Sequence, residues 1–236
     1  MNLMRTVISA SLLVGMMTAP VAADVIIDDF SSVGDPNPWP VIVNAVGSVN
    51  VFEGGLSNVI GAARHSIVRA TFLEEPGLDF VQAAIVPNFG MILDYSSTSG
   101  ARGDWDLRYD ADGQGLNADF SALTDIVLDF GRFDFANGQP LPVLVTLSDG
   151  QNQASLMRSL NSSGAQSLGF AFMDFAGIGF LDLGRVQSVS VFLDPGLAVD
   201  FRLSRVYGVP SPGSLALLTL GSMVLAGRRR RSISVD

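Results

Sequence analysis

Few residues in this chain have side chains suited to catalysis. His65 is the only histidine, and there is no cysteine. A Ser-His-Asp triad would therefore have to use His65, yet the sequence contains no G-x-S-x-G turn to expose a nucleophilic serine. The lack of cysteine excludes thiol nucleophiles, Cys-ligated zinc and iron–sulfur clusters. We expect His65 to be a surface residue beside Arg64, and we assign no catalytic residue.

Acidic residues offer a second route to chemistry, because glycoside hydrolysis needs two carboxylates on either side of a sugar-binding cleft. The chain contains many aspartates and three glutamates, Glu53, Glu74 and Glu75. Spacing along the sequence does not indicate which of these carboxylates lie close together in the fold. A secreted, glycosidase-like hydrolase therefore stays an alternative, which converging carboxylates or a serine hydrogen-bonded to His65 would favour.

One acidic segment resembles a calcium loop. Asp110–Gly115, DADGQG, places oxygen ligands at alternate positions, as in the first half of an EF-hand. The twelfth position is Ser121 instead of a bidentate glutamate, so an ordinary Asp-Gly turn explains the segment. Calcium held by Asp104, Asp106 and Asp119 is a lesser hypothesis. No cofactor and no metal ligand are predicted.

Two tryptophans could stack on sugar rings. Trp105 shares one strand face with Leu107 and Tyr109, which favours a place in the core. Trp39, in DPNPWPV, lies between two prolines on a stiff loop, where the indole could be exposed to a ligand or could close one end of the core.

Alternation of apolar and polar residues predicts an all-β fold. It is clearest in four segments: 104–110, 141–149, 186–194 and 198–206. Further strands are predicted at Val25–Ile27, Val41–Val46, Ile67–Phe72, Phe80–Val86, Phe89–Asp94, Ile126–Phe130, Ala154–Leu160 and Leu168–Phe172. Gly, Asp and Asn turns separate them, and Asp149-Gly150 predicts a hairpin. We expect an antiparallel β-sandwich or jelly roll over residues 24–208.

The N-terminus predicts export. Residues 1–23 carry Arg5, an apolar stretch and a small-residue ending at Ala23, which is the pattern of a secretory signal peptide cleaved after Ala23. The whole chain has a net charge of −9, and five of its fourteen arginines lie in the terminal segments, so the central part is more acidic still. Nucleic acid is therefore not an expected partner.

The C-terminus predicts a membrane anchor. Residues 209–227 carry no charge, and as a helix of 1.5 Å per residue they would span about 28 Å, close to the thickness of a bilayer core. Arg228, Arg229, Arg230 and Arg231 follow, and they would stay on the cytoplasmic side of the inner membrane. Residues 232–236 form a short cytoplasmic tail.

This ending resembles the PEP-CTERM sorting signal of bacteria that make exopolysaccharide. The matching pieces are a short motif, an apolar helix and the arginine cluster. The motif residues are Val209, Pro210, Ser211, Pro212 and Gly213. The resemblance implies recognition and cleavage near the motif by an exosortase, a membrane-embedded protease, and release to the cell surface or extracellular matrix. Ser211 stands where the family carries glutamate, which weakens the match at one position.

Parts of the central segment also resemble, more loosely, the carbohydrate-binding or galactose-binding jelly rolls found ahead of such signals. We therefore expect a non-enzymatic surface or matrix protein, with exopolysaccharide as the hypothesised contact. The alternatives are the secreted hydrolase and a periplasmic protein that stays anchored because its tail is never cut.

Overall fold

The structure, a computed structural model, describes residues 23–86, 92–134 and 138–211. These residues form an antiparallel sandwich of two sheets, which confirms the predicted all-β class. Thirteen strands make up the sandwich: β1 (Val25–Asp28), β2 (Val41–Val43), β3 (Gly47–Gly54), β4 (Ala63–Leu73), β5 (Val81–Val86), β6 (Ile92–Ser97), β7 (Ala101–Tyr109), β8 (Leu123–Asp134), β9 (Leu141–Ser148), β10 (Gln153–Leu160), β11 (Gln166–Ala171), β12 (Ser188–Leu193) and β13 (Asp200–Pro210). Short 3-10 turns are the only helical elements among the described residues.

The six-stranded sheet has the order β10-β9-β12-β7-β4-β3. The seven-stranded sheet has the order β11-β8-β13-β6-β5-β2, with β1 paired to β13. The inward side chains of both sheets form one hydrophobic core. Trp105, Leu107 and Tyr109 are fully buried there, as their alternation predicts.

Two local predictions met different outcomes. The hairpin at Asp149-Gly150 is confirmed, since β9 and β10 pair from Gln153 opposite Ser148 to Leu160 opposite Leu141. The strand predicted over Val41–Val46 is confirmed only for Val41–Val43, which form β2. Residues 44–46 are not strand, and the next strand, β3, starts at Gly47 and was not predicted. The sequence of β3, GSVNVFEG, is weakly apolar, and its pairing with β4 outweighs its low strand propensity.

The last strand, β13, extends beyond Gly208. Val209 lies opposite Asp125 and Pro210 opposite Leu123, so β13 continues past the expected limit at Gly208. The Ser211 N–H donates to the Ala122 carbonyl at 2.7 Å. Pro210 is tolerated because it lies at a strand end. The compact unit therefore runs from Ala23 to Ser211, and the start of the predicted sorting motif belongs to it.

The remaining targeting predictions fall outside the described residues. They concern residues 1–22, Pro212, Gly213 and Arg228–Arg231. Ala23, the predicted cleavage position, is described and exposed. Within 23–86, 92–134 and 138–211, no helix has the length and apolar character of a membrane span.

Candidate functional site

The outer surface of the six-stranded sheet, here called the six-stranded face, carries a mixed row of aromatic, cationic and hydroxyl side chains. Register aligns one residue from each strand across the sheet. In order from β3 to β10 this row is Phe52, His65, Arg108, Ser190, Thr146 and Ser155. Such a row presents both an apolar ring and several hydrogen-bonding groups to one ligand.

A second row runs beside the first, one pleat away, and is more apolar. From β3 to β10 it contains Asn50, Ile67, Asp106, Phe192, Leu144 and Met157. Met157 is 61% exposed and Phe52, in the first row, is 51% exposed, while Phe192 is half-buried. Phe52 and Phe192 are three strands apart, or about 14 Å at ~4.8 Å per strand. Two rings on this face can therefore contact separate parts of an extended ligand.

Charges on this face are paired but still accessible. Arg69 Nη1 lies 2.5 Å from Asp104 Oδ1, and its Nη2 lies 3.8 Å from Asp106 Oδ2. Partial burial, together with the neighbouring Asp104, raises the pKa of Asp106, although Arg69 opposes the shift. Arg108 uses only its Nε on Asp110, at 2.9 Å, and its side chain is 56% exposed. The Arg108 guanidinium thus keeps donors available for hydroxyl or carboxylate oxygens.

A polar pocket of about 380 Å³ lies at the end of the six-stranded face. It is lined by Arg108, Asp110, Gln114, Gly115, Ser148 and Ser188, among others. Gly115 has a φ of +83°, a left-handed backbone conformation that favours glycine, and a Cβ there would meet the Gln187 side chain. The pocket wall therefore requires glycine at this position.

The DADGQG segment forms this pocket wall as a turn. Asp110 Oδ1 accepts a hydrogen bond from the Gly113 N–H at 3.1 Å, and the Asp110 carbonyl accepts from Gly115 at 2.8 Å. Asp119 is engaged separately by Ser121, whereas Asp104 contacts Arg69. Among the described residues, no group of three or more His, Asp or Glu side chains is placed to hold a metal ion.

The structure places His65 on the six-stranded face and away from any triad. It is partly exposed on β4, opposite Arg108 and Phe52. In the described part of the chain it makes no hydrogen bond to a serine. The geometry that would favour a serine hydrolase does not occur there.

Two carboxylates do converge, but inside the core. Arg64 Nη1 lies 2.7 Å from Asp28 Oδ2, and Arg64 Nη2 lies 2.8 Å from Glu53 Oε2, with all three side chains at 0% exposure. The Tyr109 hydroxyl donates to Asp28 Oδ2 at 3.0 Å, and burial together with nearby Asp28 raises the pKa of Tyr109. Backbone N–H groups of Phe30 and Gly34 bind the remaining carboxylate oxygens. This buried cluster joins four strands and has no open side for a sugar.

The indole of Trp39 is not available for a ligand. It is 8% exposed and packs against Trp105, with ring centroids 5.5 Å apart. Of the two readings of this residue, the exposed one is wrong and closure of the core is confirmed. Its two flanking prolines restrict the loop backbone, and the ring points inward.

The sequence analysis overlooked the two rings that the six-stranded face presents. Phe192 has the same strand parity as Ser188 and Ser190, so alternation alone places it on the wet side of β12. Phe52 lies in β3, which was not predicted, and its position follows only from pairing with His65.

No protein-family model matches the chain, and no curated protein sequence matches it. Among solved structures, the chain is similar to the family 11 carbohydrate-binding module of the cellulosomal cellulase Lic26A-Cel5E of Clostridium thermocellum. That likeness has 12% identity and a TM-score of 0.41, over 81% of this chain and 97% of that one. It is also similar to TmCBM61 in complex with β-1,4-galactotriose, with 10% identity, a TM-score of 0.34 and coverage of 61% and 88%. The agarase AgWH50C gives 12% identity, a TM-score of 0.40 and coverage of 80% and 26%. At these values no residue role is carried from those proteins to this chain.

Proposed function

We propose that this protein is an exported, non-enzymatic component of the cell surface or extracellular matrix that contacts polysaccharide through its six-stranded face. The observation that carries the proposal is a pair of phenylalanine rings on this face, the exposed Phe52 and the half-buried Phe192, with Arg108 and the hydroxyls of Ser190 and Thr146 between and beside them.

The chemistry of a sugar chain suits this arrangement. Each sugar ring has an apolar C–H surface and a rim of hydroxyls. The C–H surface gains from contact with a phenylalanine ring, because apolar area leaves water. Arg108 can donate hydrogen bonds to these hydroxyls, and Asp106 can accept hydrogen bonds from them. Their ion pairs with Asp110 and Arg69 leave other guanidinium N–H groups and carboxylate lone pairs available.

Export and sorting form the second half of the proposal. The signal-peptide pattern ending at Ala23 and the PEP-CTERM-like ending support delivery through the inner membrane and processing by an exosortase. Intact-mass spectrometry of the protein recovered from the cell surface tests this. A C-terminus within Pro210–Gly213 agrees with sorting, while a chain that retains Arg228–Arg231 supports the permanent anchor.

Affinity electrophoresis of the full chain tests polysaccharide contact. The gels contain mixed-linkage β-glucan, β-1,4-galactan or agarose. We expect retardation in at least one of them. Phe192→Ala should weaken that retardation by about 3- to 10-fold, because full burial of an exposed phenylalanine ring stabilises by ~1.5–3 kcal/mol and Phe192 is already half-buried in the free protein.

Tyr207→Ala is the matched control, since Tyr207 is also a half-buried aromatic residue but lies on the seven-stranded sheet, beneath Arg205. It should change the retardation less than about 2-fold. Equal effects of the two substitutions, or no retardation in any gel, would count against the six-stranded face.

A further inference from the structure

The two edges of the six-stranded sheet differ in how they are protected. At one edge, Ser155 of β10 exchanges two backbone hydrogen bonds with Ala176, at 3.0 and 2.9 Å. The chain after β11 therefore covers this edge, and Arg158 on β10, which pairs with Asp174, adds charge. Covering segments and charges are the usual means of preventing edge-to-edge pairing.

Among the residues that the structure describes, nothing protects the other edge, β3, in either way. Over the described ranges, its backbone hydrogen bonds go only to β4. Its sequence, GSVNVFEG, contains no lysine, arginine or proline. Its one ionisable residue, Glu53, is 2% exposed and bound to Arg64.

Exposed apolar side chains line the same edge. Val46 is 65% exposed, Val49 is 37% exposed and Phe52 is 51% exposed. The burial pattern of β3 shows that Gly47 to Asn50 are all open to solvent. An unprotected strand with exposed apolar residues is a template for another extended chain.

We propose that β3 pairs antiparallel with β3 of a second copy of this chain and joins the two six-stranded sheets into one. Charge does not oppose a second copy at this place. The chain carries a net charge of −9, so two copies repel over most of their surface, but the open part of β3 is uncharged. A two-fold axis through an antiparallel pair also makes the strand its own complement.

The register follows from the contacts of β3. Gly34 packs beside Glu53, with its N–H 2.9 Å from Glu53 Oε1 and an added Cβ only 3.4 Å from Glu53 Cγ. Pairing therefore stops before Glu53 and uses Gly47–Val51 of each copy. This centres the axis on Val49.

In this register Val49 lies opposite Val49 and Ser48 lies opposite Asn50 of the other copy. Val49 then gains an apolar partner across the axis, while Val46 and Phe52 lie just outside the paired segment. Because opposite residues in an antiparallel pair share a face, the two six-stranded faces become continuous.

Disulfide trapping in the full chain tests the pairing, because the natural chain contains no cysteine. Directly opposite residues have Cα atoms about 4.5–5.5 Å apart, which lies within the range that a disulfide spans. We expect Val49→Cys to give a linked dimer on a non-reducing gel at least about 10-fold faster than Met173→Cys. Met173 is the control because it is 86% exposed and apolar but lies far along the chain from β3.

A charge swap in the Val49→Cys background tests the register. Ser48→Asp with Asn50→Asp places like charges opposite each other across the axis, and linking should slow markedly. Ser48→Asp with Asn50→Arg places opposite charges there, and linking should recover. The proposal is overturned if Val49→Cys links no faster than Met173→Cys, or if the two charge variants behave alike.

Discussion

The outer surfaces of the two sheets use similar residue types in opposite ways. On the seven-stranded sheet, Arg205 lies 3.8 Å above the Tyr207 ring and also pairs with Asp129 at 2.9 Å and Asp24 at 3.3 Å. Arg202 pairs with Asp94 at 3.2 Å on the same side. That surface covers its aromatic ring with its own charges. On the six-stranded face, by contrast, no cation among the described residues lies over Phe52 or Phe192, and Arg108 contacts Asp110 through its Nε.

Tyr207 and Phe192 are both half-buried, so exposure alone does not separate them. The difference between them is the neighbouring arginine, since Arg205 lies over the ring of Tyr207. Under the proposed function, a ring that the protein's own side chains do not cover is the one that a ligand can contact.

We expect the largest change in the free energy of unfolding from removal of a buried arginine, compared with removal of an exposed one. Arg64→Leu leaves Asp28 and Glu53 buried without their partner, and we expect a loss of about 3–5 kcal/mol in the free energy of unfolding. Arg202→Leu, on the seven-stranded surface, should lose no more than about 1 kcal/mol, because its ion pair with Asp94 is exposed. Urea denaturation measures both.

Combining Arg64→Leu with Asp28→Asn and Glu53→Gln should recover part of the loss, since the buried charges are then removed together. If Arg64→Leu is as mild as Arg202→Leu, the buried cluster does not hold the strands as described.

An intermediate effect concerns the end of β13. A chain that ends at Gly208 loses the pairing of Val209 and Pro210 with β8, together with the hydrogen bond from Ser211 to Ala122. Relative to a chain that ends at Ser211, we expect it to be less stable by about 1–3 kcal/mol. Thermal melting compares the two chains, and equal melting temperatures would put the domain boundary back at Gly208.

The smallest expected effect is a pH dependence of stability that has opposite signs at Asp149 and Asp200. Asp149, in the β9–β10 turn, accepts hydrogen bonds from the N–H groups of Asp182, Asn152 and Gln151, which hold its pKa below the usual 3.8. Burial raises the pKa of Asp200, on β13, above 3.8, and nearby Asp134 adds to the shift.

The charged form of Asp149 therefore stabilises the fold above pH 3.8, and this contribution is lost as the pH falls through its folded-state pKa. The contribution of Asp200 is present below 3.8 and is lost as the pH rises through its raised pKa. Near neutral pH, Asp149→Asn should be less stable than the natural chain and Asp200→Asn more stable. Melts repeated at about pH 3 should bring both variants closer to the natural chain. Differences of the same sign at neutral pH would contradict this assignment.

The sequence predicted most of what depends on short-range pattern. Alternation identified the buried faces around Trp105 and Val191, and Asp149-Gly150 identified a hairpin. Which outward-looking residues are buried depends instead on long-range strand pairing. Arg64 looks like a surface residue in ARHSIV, and only the register of β4 against β3 places it inward beside Glu53.

Prediction of the candidate site failed for the same reason. The six-stranded face draws its rows from six strands, and no motif along the chain brings Phe52 near Phe192. The orientation of the Trp39 side chain could not be predicted from sequence, because two flanking prolines restrict the loop backbone without fixing which way the side chain points.

Hydroxyl-radical footprinting of the full chain, with and without the polysaccharide that retards it, shows which sheet touches the ligand. We expect oxidation of Phe52 and Phe192 to fall when the polysaccharide is bound, while that of Tyr207 stays the same. Protection of Tyr207 with no change at the two phenylalanines would place the contact on the seven-stranded sheet and refute binding by the six-stranded face.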